Sequence, residues 1–213
     1  MGASLIAACE SIANNMSLFI TFEGPDGSGK TTQIKLLSDV LAAAGYDVLT
    51  VREPGGTPIS ESIRDVVHSL RNRDMHPRAE ILLYGAARAQ LVAQLIKPQL
   101  ERGGIVVCDR YLASSVAYGE AQGLDPHWLT SVQAYLPQPA ITVLLDIAPE
   151  VSAARKSRNR DRFESDLPML GRVRASYLRQ AEDLLWLVID AARPVEAVAG
   201  DVARSVATRL GLP

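Results

Sequence analysis

Residues 18–32 read LFITFEGPDGSGKTT, an apolar run followed at once by a loop with three glycines and a lysine. Gly24, Gly29, Lys30 and Thr31 fit the pattern G-x-x-x-x-G-K-[ST]. Glycines let successive backbone N–H groups converge on phosphate oxygens, and the helix predicted to follow adds partial positive charge. Because pattern and context agree, an incidental turn is a poor explanation. We interpret the whole loop as phosphate-binding: Gly24, Pro25, Asp26, Gly27, Ser28, Gly29, Lys30, Thr31 and Thr32.

A carboxylate follows the third apolar run of the chain. Asp109 comes directly after Ile105–Cys108, and α/β sheets bind ligands at the carboxyl ends of their strands. Lys30 can reach the β- and γ-phosphates of a triphosphate, while Thr31 and Asp109 offer oxygen ligands for Mg²⁺. A cap on the following helix is the alternative role for Asp109. The sequence thus predicts a nucleoside triphosphate with Mg²⁺, and it lacks the N-K-x-D pattern of guanine-specific proteins.

Composition narrows the class of protein. The 213 residues suit one α/β domain, and 47% hydrophobic residues suffice for a substantial core. A net charge of −2 argues against a nucleic-acid surface, and no apolar run approaches the roughly 20 residues of a membrane span. Two cysteines, Cys9 and Cys108, do not suggest a disulfide framework, so we expect a cytoplasmic protein. We interpret residues 1–15 as an N-terminal extension and residues 16–213 as a single domain.

Short apolar runs alternate with longer segments of helical periodicity. The predicted strands are Leu18–Phe22, Val48–Val51, Ile105–Cys108, Ile141–Leu145 and Leu187–Ile189. The predicted helices span 30–44, 60–70, 77–97, 126–135, 149–157, 168–185 and 195–210. Continuous apolar strands are typical of a parallel sheet covered on both faces. The sequence therefore predicts a P-loop NTPase-type, three-layer α/β/α fold with a five-stranded parallel sheet.

The predicted helix over 77–97 has apolar residues on more than one face between 79 and 96. A helix that lies on a sheet needs only one apolar face. We therefore expect either a second helix or another subunit to cover the remainder.

Arginines follow two predicted strands, on the same edge of the sheet as the loop. Arg52 follows the second strand and Arg110 follows Asp109, while Arg88 lies four residues after Tyr84 on one helix face. A guanidinium fits a phosphate bidentately, and an aromatic ring stacks on a base. A structural salt bridge is the alternative for each arginine alone. Their shared edge favours a site for a second, phosphate-bearing substrate.

Residues 155–164 read RKSRNRDRFE, with five basic residues against two acidic ones. A solvated charged loop is the ordinary interpretation of such a run. In a phosphate-transfer protein, a cationic lid at about residues 155–167 would instead neutralise charge on the transferred group. Arg158, Arg160 and Arg162 are the candidate catalytic residues of this lid.

Five segments together resemble the thymidylate kinase family, whose members phosphorylate dTMP to dTDP with ATP. The segments are GPDGSGKTT, REPGGTPISESIR, PRAEILLYGAARAQ, VVCDRYLASSVAY and RNRDRFES. The resemblance implies an ATP-binding loop, Mg²⁺, a homodimer, and catalysis by Lys30, Asp109 and Arg110. It is closest to the bacterial form, in which the lid rather than the loop supplies the arginine.

The resemblance also implies how dTMP would be held at its phosphate and sugar. Arg52 and Arg110 would bind the acceptor phosphate, and Asp26 would approach the sugar. Tyr118 would crowd the position of a 2′-hydroxyl and so favour deoxyribose.

At the base, the resemblance implies that Tyr84 stacks on thymine, that Arg88 bonds it, and that Ser114 and Ser115 line its pocket. Two positions depart from the family pattern. Gly119 stands where the family commonly has a base-contacting glutamine, with Gln122 nearby, and Tyr84 replaces a usual phenylalanine. These departures bear on the selectivity for thymine. Two alternative functions stay open: a kinase for another monophosphate such as dUMP, and a nucleotide-dependent switch ATPase that needs no acceptor.

Overall fold

The computed structural model describes residues 17–155 and 166–210. Its strands are β1 (Leu18–Glu23), β2 (Val48–Arg52), β3 (Ile105–Asp109), β4 (Ile141–Asp146) and β5 (Leu187–Asp190). Its α-helices are α1 (Lys30–Ala43), α2 (Pro58–His68), α3 (Pro77–Leu91), α4 (Lys97–Glu101), α5 (Leu112–Ala121), α6 (Pro126–Ser131), α7 (Pro149–Arg155), α8 (Leu167–Asp183) and α9 (Val195–Leu210). A 3-10 turn spans Leu70–Asn72, and a π-helical segment, Val92–Ile96, joins α3 to α4.

The five strands form one sheet in the order β2-β3-β1-β4-β5, and every pair is parallel. In the register of β1 with β3, Phe22 lies opposite Asp109, and Arg52 of β2 lies opposite Asp109 on the other side. The carboxyl ends of β1, β2 and β3 therefore meet at one edge. This confirms the predicted parallel α/β/α fold and places the loop, Asp109 and Arg52 side by side.

Both faces of the sheet are covered, as the continuous apolar runs predicted. All six residues of β1 are buried. Leu18, Ile20 and Phe22 face α1 and α9, whereas Phe19 faces the side of α3 and the π-helical segment. Such burial on both faces fixes the position of the loop that leaves β1.

One helix was missed from the sequence. α5 has the sequence LASSVAYGEA, in which small residues face every direction, so no apolar stripe stands out against a polar face. The structure explains the pattern, because Val116 packs against Ile81 and Leu129, whereas Ala117 packs against the side of α8. A helix enclosed by three neighbours needs no amphipathic contrast.

The predicted helix over 77–97 is helical throughout but changes type at the π-helical segment, and it continues to Glu101 as α4. Its apolar residues are covered mainly within this chain, since Ile81 packs against Val116 and Leu129 and Leu91 is fully buried. Leu82 stays 54% exposed. Within residues 17–155 and 166–210, no helix has the length and apolarity needed to cross a membrane.

Candidate active site

The phosphate-binding loop turns sharply after β1 because two glycines allow close backbone approach. Gly24 has φ +132°, and a Cβ there would lie 2.5 Å from the carbonyl oxygen of Leu145. Gly27 has φ +78°, and a Cβ there would lie 2.9 Å from the carbonyl oxygen of Ser152. Any side chain at these positions would push the loop away from β4 and α7. The loop is thus held against the sheet edge by residues distant in sequence.

Lys30 begins α1 and is almost fully buried. Its Nζ donates to the carbonyl oxygens of Gly24 and Pro25, each at 3.0 Å, and lies 3.8 Å from Oδ1 of Asp26. Burial lowers the pKa of Lys30 to about 8, and Arg110 adds to the decrease. The ammonium therefore lies over the loop, where it can bind an anion.

Thr31 and Asp109 meet across the loop and β3. The Thr31 hydroxyl donates to Oδ2 of Asp109 at 3.2 Å. Two hard oxygen donors at this separation fit the chemistry that Mg²⁺ prefers, since Mg²⁺ takes few protein ligands and keeps waters or phosphates for the rest. The structure thus brings together Thr31 and Asp109, the two residues predicted to hold Mg²⁺.

Arg110 lies where the loop meets a second pocket. Its backbone has φ +67°, which is uncommon for a residue other than glycine. Its Nη2 donates to Oδ1 of Asp26 at 2.6 Å, and its Nη1 donates to Ser114 and Tyr177, each at 3.1 Å. The guanidinium carbon also lies 5.5 Å from the Tyr118 ring centroid. Non-glycine residues in such a conformation persist only when their surroundings hold them firmly.

Glu23, which sequence analysis did not select, is part of what holds Arg110. Its carboxylate is fully buried and accepts from the Tyr111 backbone N–H at 2.8 Å, from Ser114 at 2.6 Å and from Tyr177 at 3.3 Å. Burial raises the pKa of Glu23, and the bond from Ser114 opposes that rise. Its position at the end of a buried strand was a usable signal, the same one that identified Asp109.

A second pocket opens beside Arg110, and the structure brings most of the predicted acceptor residues to it. These are Asp26, Tyr84, Arg88, Arg110, Ser114, Ser115 and Tyr118. The same pocket is lined by residues that sequence analysis did not assign to the site, namely Glu53, Pro54, Arg64, His68, Glu80, Ile81 and Gln122. Arg64 and His68 lie on α2, Glu80 lies on α3 and Gln122 caps α5. Their presence in the pocket depends on how these three helices pack, which no local sequence pattern predicts.

Arg88 is anchored by the protein as well as lining this pocket. Its Nε donates to Oε2 of Glu53 at 2.5 Å, and its Nη2 donates to the Tyr111 carbonyl and to Ser115, each at 3.1 Å. Its Nη1 donates to Gln133. Burial raises the pKa of Glu53 to about 7, although Arg88 lowers it. Arg88 therefore forms a structural salt bridge with Glu53, and it also lines the acceptor pocket.

Arg52 lies in a different place from the other predicted acceptor residues. It lines the pocket around the phosphate loop, with Lys30, Thr31 and Asp109, and is absent from the lining of the acceptor pocket. Its Nη2 donates to Glu61 at 3.2 Å. Arg64 lines both pockets, as do Asp26, Glu53 and Arg110. The two pockets thus adjoin at Arg110.

The predicted lid falls largely outside the described residues, and so do Arg158, Arg160 and Arg162. Arg155, at its start, is the last residue of α7 and donates to the carbonyls of Ala191 at 2.9 Å and Ala192 at 3.3 Å. Ser152 of the same helix donates to the Asp26 carbonyl at 2.5 Å. α7 therefore joins the phosphate loop to the turn after β5.

The structure shows what surrounds Gly119 and Tyr84, the two positions that depart from the family pattern. A Cβ at Gly119 would lie 2.6 Å from Cδ2 of the fully buried Leu129, so this position faces α6 at close range. The Tyr84 hydroxyl lies 3.5 Å from Oε1 of Glu80, the limit of a hydrogen bond.

Comparison with known proteins gives a consistent result. A family model described as thymidylate kinase matches residues 22–202. A thymidylate kinase from Thermomicrobium roseum is 45% identical over 197 residues, covering 88% of this chain and 93% of that protein. One from Deinococcus radiodurans is 43% identical over 204 residues, covering 92% and 98%. One from Roseiflexus castenholzii is 42% identical over 213 residues, covering 90% and 93%.

Proposed function

Because this chain belongs to the thymidylate kinase family, we propose that it transfers the γ-phosphoryl group of ATP to dTMP, giving dTDP and ADP. The observation that carries the proposal is the junction of two pockets at Arg110. One pocket contains the phosphate loop, and the other is lined by charged, polar and aromatic side chains that suit a nucleoside monophosphate. A switch ATPase has no need of the second pocket.

On the donor side, residues 24–32 bind the triphosphate of ATP through backbone N–H groups and the α1 N-terminus. Lys30 binds the β- and γ-phosphates. Thr31 and Asp109 would hold Mg²⁺, which when bound neutralises charge on the phosphate oxygens. The support is the 3.2 Å contact between their side-chain oxygens.

On the acceptor side, Arg110 binds the dTMP phosphate and Arg52 contributes from the donor side of the junction. Asp26 lies near the sugar and Tyr118 restricts its 2′ position. The base lies between the two helices that carry the remaining acceptor residues: Tyr84, Arg88, Ser114 and Ser115. Support comes from their common pocket.

The reaction needs no covalent intermediate and no general base, because the acceptor phosphate is already ionised. Both substrates are anions, so their approach costs Coulomb repulsion that Lys30, Arg110 and the loop N–H groups offset. Arg110 is suited to this task because Asp26, Ser114 and Tyr177 already hold its guanidinium. The lid arginines 158, 160 and 162 would then act on turnover, by stabilising charge on the transferred group.

We further propose that the protein is a cytoplasmic homodimer. The exposed side chains of Ile59, Val66 and Leu82 support a contact through α2 and α3, which pack on each other. Sedimentation at several protein concentrations tests this, and a monomer at micromolar concentration would contradict it.

A panel of nucleoside monophosphates tests the activity itself. ADP release is measured with dTMP, dUMP, dCMP, dGMP and dAMP at equal concentration. We expect dTMP to give the highest kcat/KM. A higher value with dUMP would establish the alternative kinase, and release independent of any acceptor would establish the switch ATPase.

A further inference from the structure

Two helices line the acceptor pocket with polar side chains at matched spacing. On α3 these are Glu80, Tyr84 and Arg88; at α5 and its C-terminal cap they are Ser115, Tyr118 and Gln122. Arg88 bonds Ser115 at 3.1 Å, whereas Nε2 of Gln122 lies 3.4 Å from Oε2 of Glu80. The pocket is therefore a slot closed at one end by Arg88 and at the other by Gln122.

The Gln122 end is remote from the phosphate. Arg110 lies two residues before α5, and the rise from Ser114 to Gln122 is about 12 Å at 1.5 Å per residue. A monophosphate bound with its phosphate at Arg110 therefore extends its base along α5. Side chains lean toward the N-terminus of their helix, so Gln122 points back over Tyr118 and toward that base.

The amide of Gln122 has one orientation that satisfies its neighbours. Nε2 approaches Oε2 of Glu80 at 3.4 Å and the Tyr118 carbonyl oxygen at 3.3 Å, and both are acceptors. The nitrogen must therefore face them, which leaves the carbonyl oxygen Oε1 as the atom available to a ligand. Glu80 is 1% exposed, so its buried carboxylate keeps one position, and the hydrogen bond that it accepts sets the orientation of the Gln122 amide.

We propose that Gln122 determines base specificity by accepting a hydrogen bond at Oε1 from the ring N3–H of the acceptor base. Thymine and uracil carry a proton on N3, whereas cytosine carries a lone pair there, which would face an acceptor. Glu80 is a positioning residue, because it sets which amide atom points into the slot. The inference rests on the proposed function and adds the residue that separates dTMP from dCMP.

Position 119 cannot take this role in the present chain. Its Cβ would meet Leu129 at 2.6 Å, so a side chain there would be directed into α6. Gln122 lies almost one helical turn further on and lines the pocket.

The test measures the dissociation constants of dTMP and dCMP by calorimetry, and steady-state kinetics with each, for wild type, Gln122→Met and Glu80→Gln. Methionine keeps the length of glutamine without its hydrogen bonds. Gln138→Met is the matched control, since Gln138 lies outside the acceptor pocket and donates to the Leu136 carbonyl at 3.2 Å. Loss of one hydrogen bond with an N–H left unpaired predicts about a tenfold weaker dTMP affinity.

For Gln122→Met we expect the preference for dTMP over dCMP to fall by roughly tenfold, and we expect the loss to appear in the Kd and KM of dTMP. Glu80→Gln should lower the same preference, and the double variant should be no worse than either single variant, because both act on one contact. An equal loss for both bases, or a change no greater than in Gln138→Met, would overturn the inference.

The outcomes for Gln122 and for the activity are separable. If the wild type phosphorylates dTMP and both variants keep its base preference, the inference about Gln122 is wrong and the proposed function stands. Wild-type protein that transfers no phosphate to dTMP removes the proposed function and the inference with it. If Gln122→Met lowers the melting temperature, the preference of Glu80→Gln still decides the question.

Discussion

Replacing Glu53 with alanine removes the counter-ion of a buried arginine and should destabilise the whole domain. The Glu53 and Arg88 side chains are 4% and 3% exposed, and their oxygen and nitrogen atoms lie 2.5 Å apart. Breaking a buried pair by removing one partner costs about 3–5 kcal/mol, because the remaining charge has no counter-ion. A domain of this size loses roughly 2–4 °C of melting temperature per kcal/mol, so we expect a decrease of about 6–20 °C.

The assay is thermal and urea unfolding at pH 8, above the pKa of Glu53. Glu101→Ala is the matched control, since Glu101 and Lys97 are 64% and 68% exposed and lie 3.7 Å apart. Such an exposed pair contributes about 0–1 kcal/mol. The double variant Glu53→Ala/Arg88→Met should recover much of the loss. Equal destabilisation by Glu53→Ala and Glu101→Ala would refute the reasoning.

Two of the three further predictions concern the site, and the third concerns the packing of α5 against α6. Arg110→Ala should lower kcat/KM for dTMP by about 10³-fold or more with nearly unchanged ATP binding; equal loss of ATP binding would contradict its assignment to the acceptor. Because the pKa of Lys30 is lowered to about 8, its ammonium group loses its proton and its charge as pH rises through that value. The Kd of a non-hydrolysable ATP analogue should therefore rise above pH 8 in wild type but not in Lys30→Arg. Gly119→Ala should lower the free energy of unfolding by about 1–3 kcal/mol, because the new methyl group crowds Leu129. Gly171→Ala is the control, since a Cβ there meets no atom within 4 Å, and it should be neutral or stabilising. Similar melting temperatures for both variants would show that the Leu129 side chain moves aside.

The donor half of the site was predictable from sequence because its signals are local. The loop, Lys30 and Thr31 occupy one short segment, and Asp109 ends an apolar run that identifies itself as a buried strand. The phosphate loop needs only the strand before it and the helix after it. These are the features that short-range patterns describe well.

The acceptor half was predicted incompletely: strand ends and helix spacing indicated its arginines and Tyr84, and the family resemblance added Asp26, Ser114, Ser115 and Tyr118. Arg64 and Glu80 line its pocket because α2 and α3 pack together, a relation that the sequence of neither helix reveals. Glu23 was overlooked although it ends a buried strand as Asp109 does. Arg52 was grouped with Arg110 by its place on the edge, but its side chain lies in the donor pocket. The end of a strand places a residue's backbone at the edge of the sheet, whereas the packing of neighbouring residues decides which pocket its side chain lines.

The central claim is that Arg110 and the loop bring two phosphate compounds together so that one phosphorylates the other. The most direct test is the rate of ATP consumption by purified protein with and without dTMP, with dTDP and ADP quantified together. We expect ATP consumption to depend on dTMP, and we expect dTDP and ADP to appear in equal amounts. Consumption at the same rate without dTMP, or ADP formed without dTDP, would contradict it.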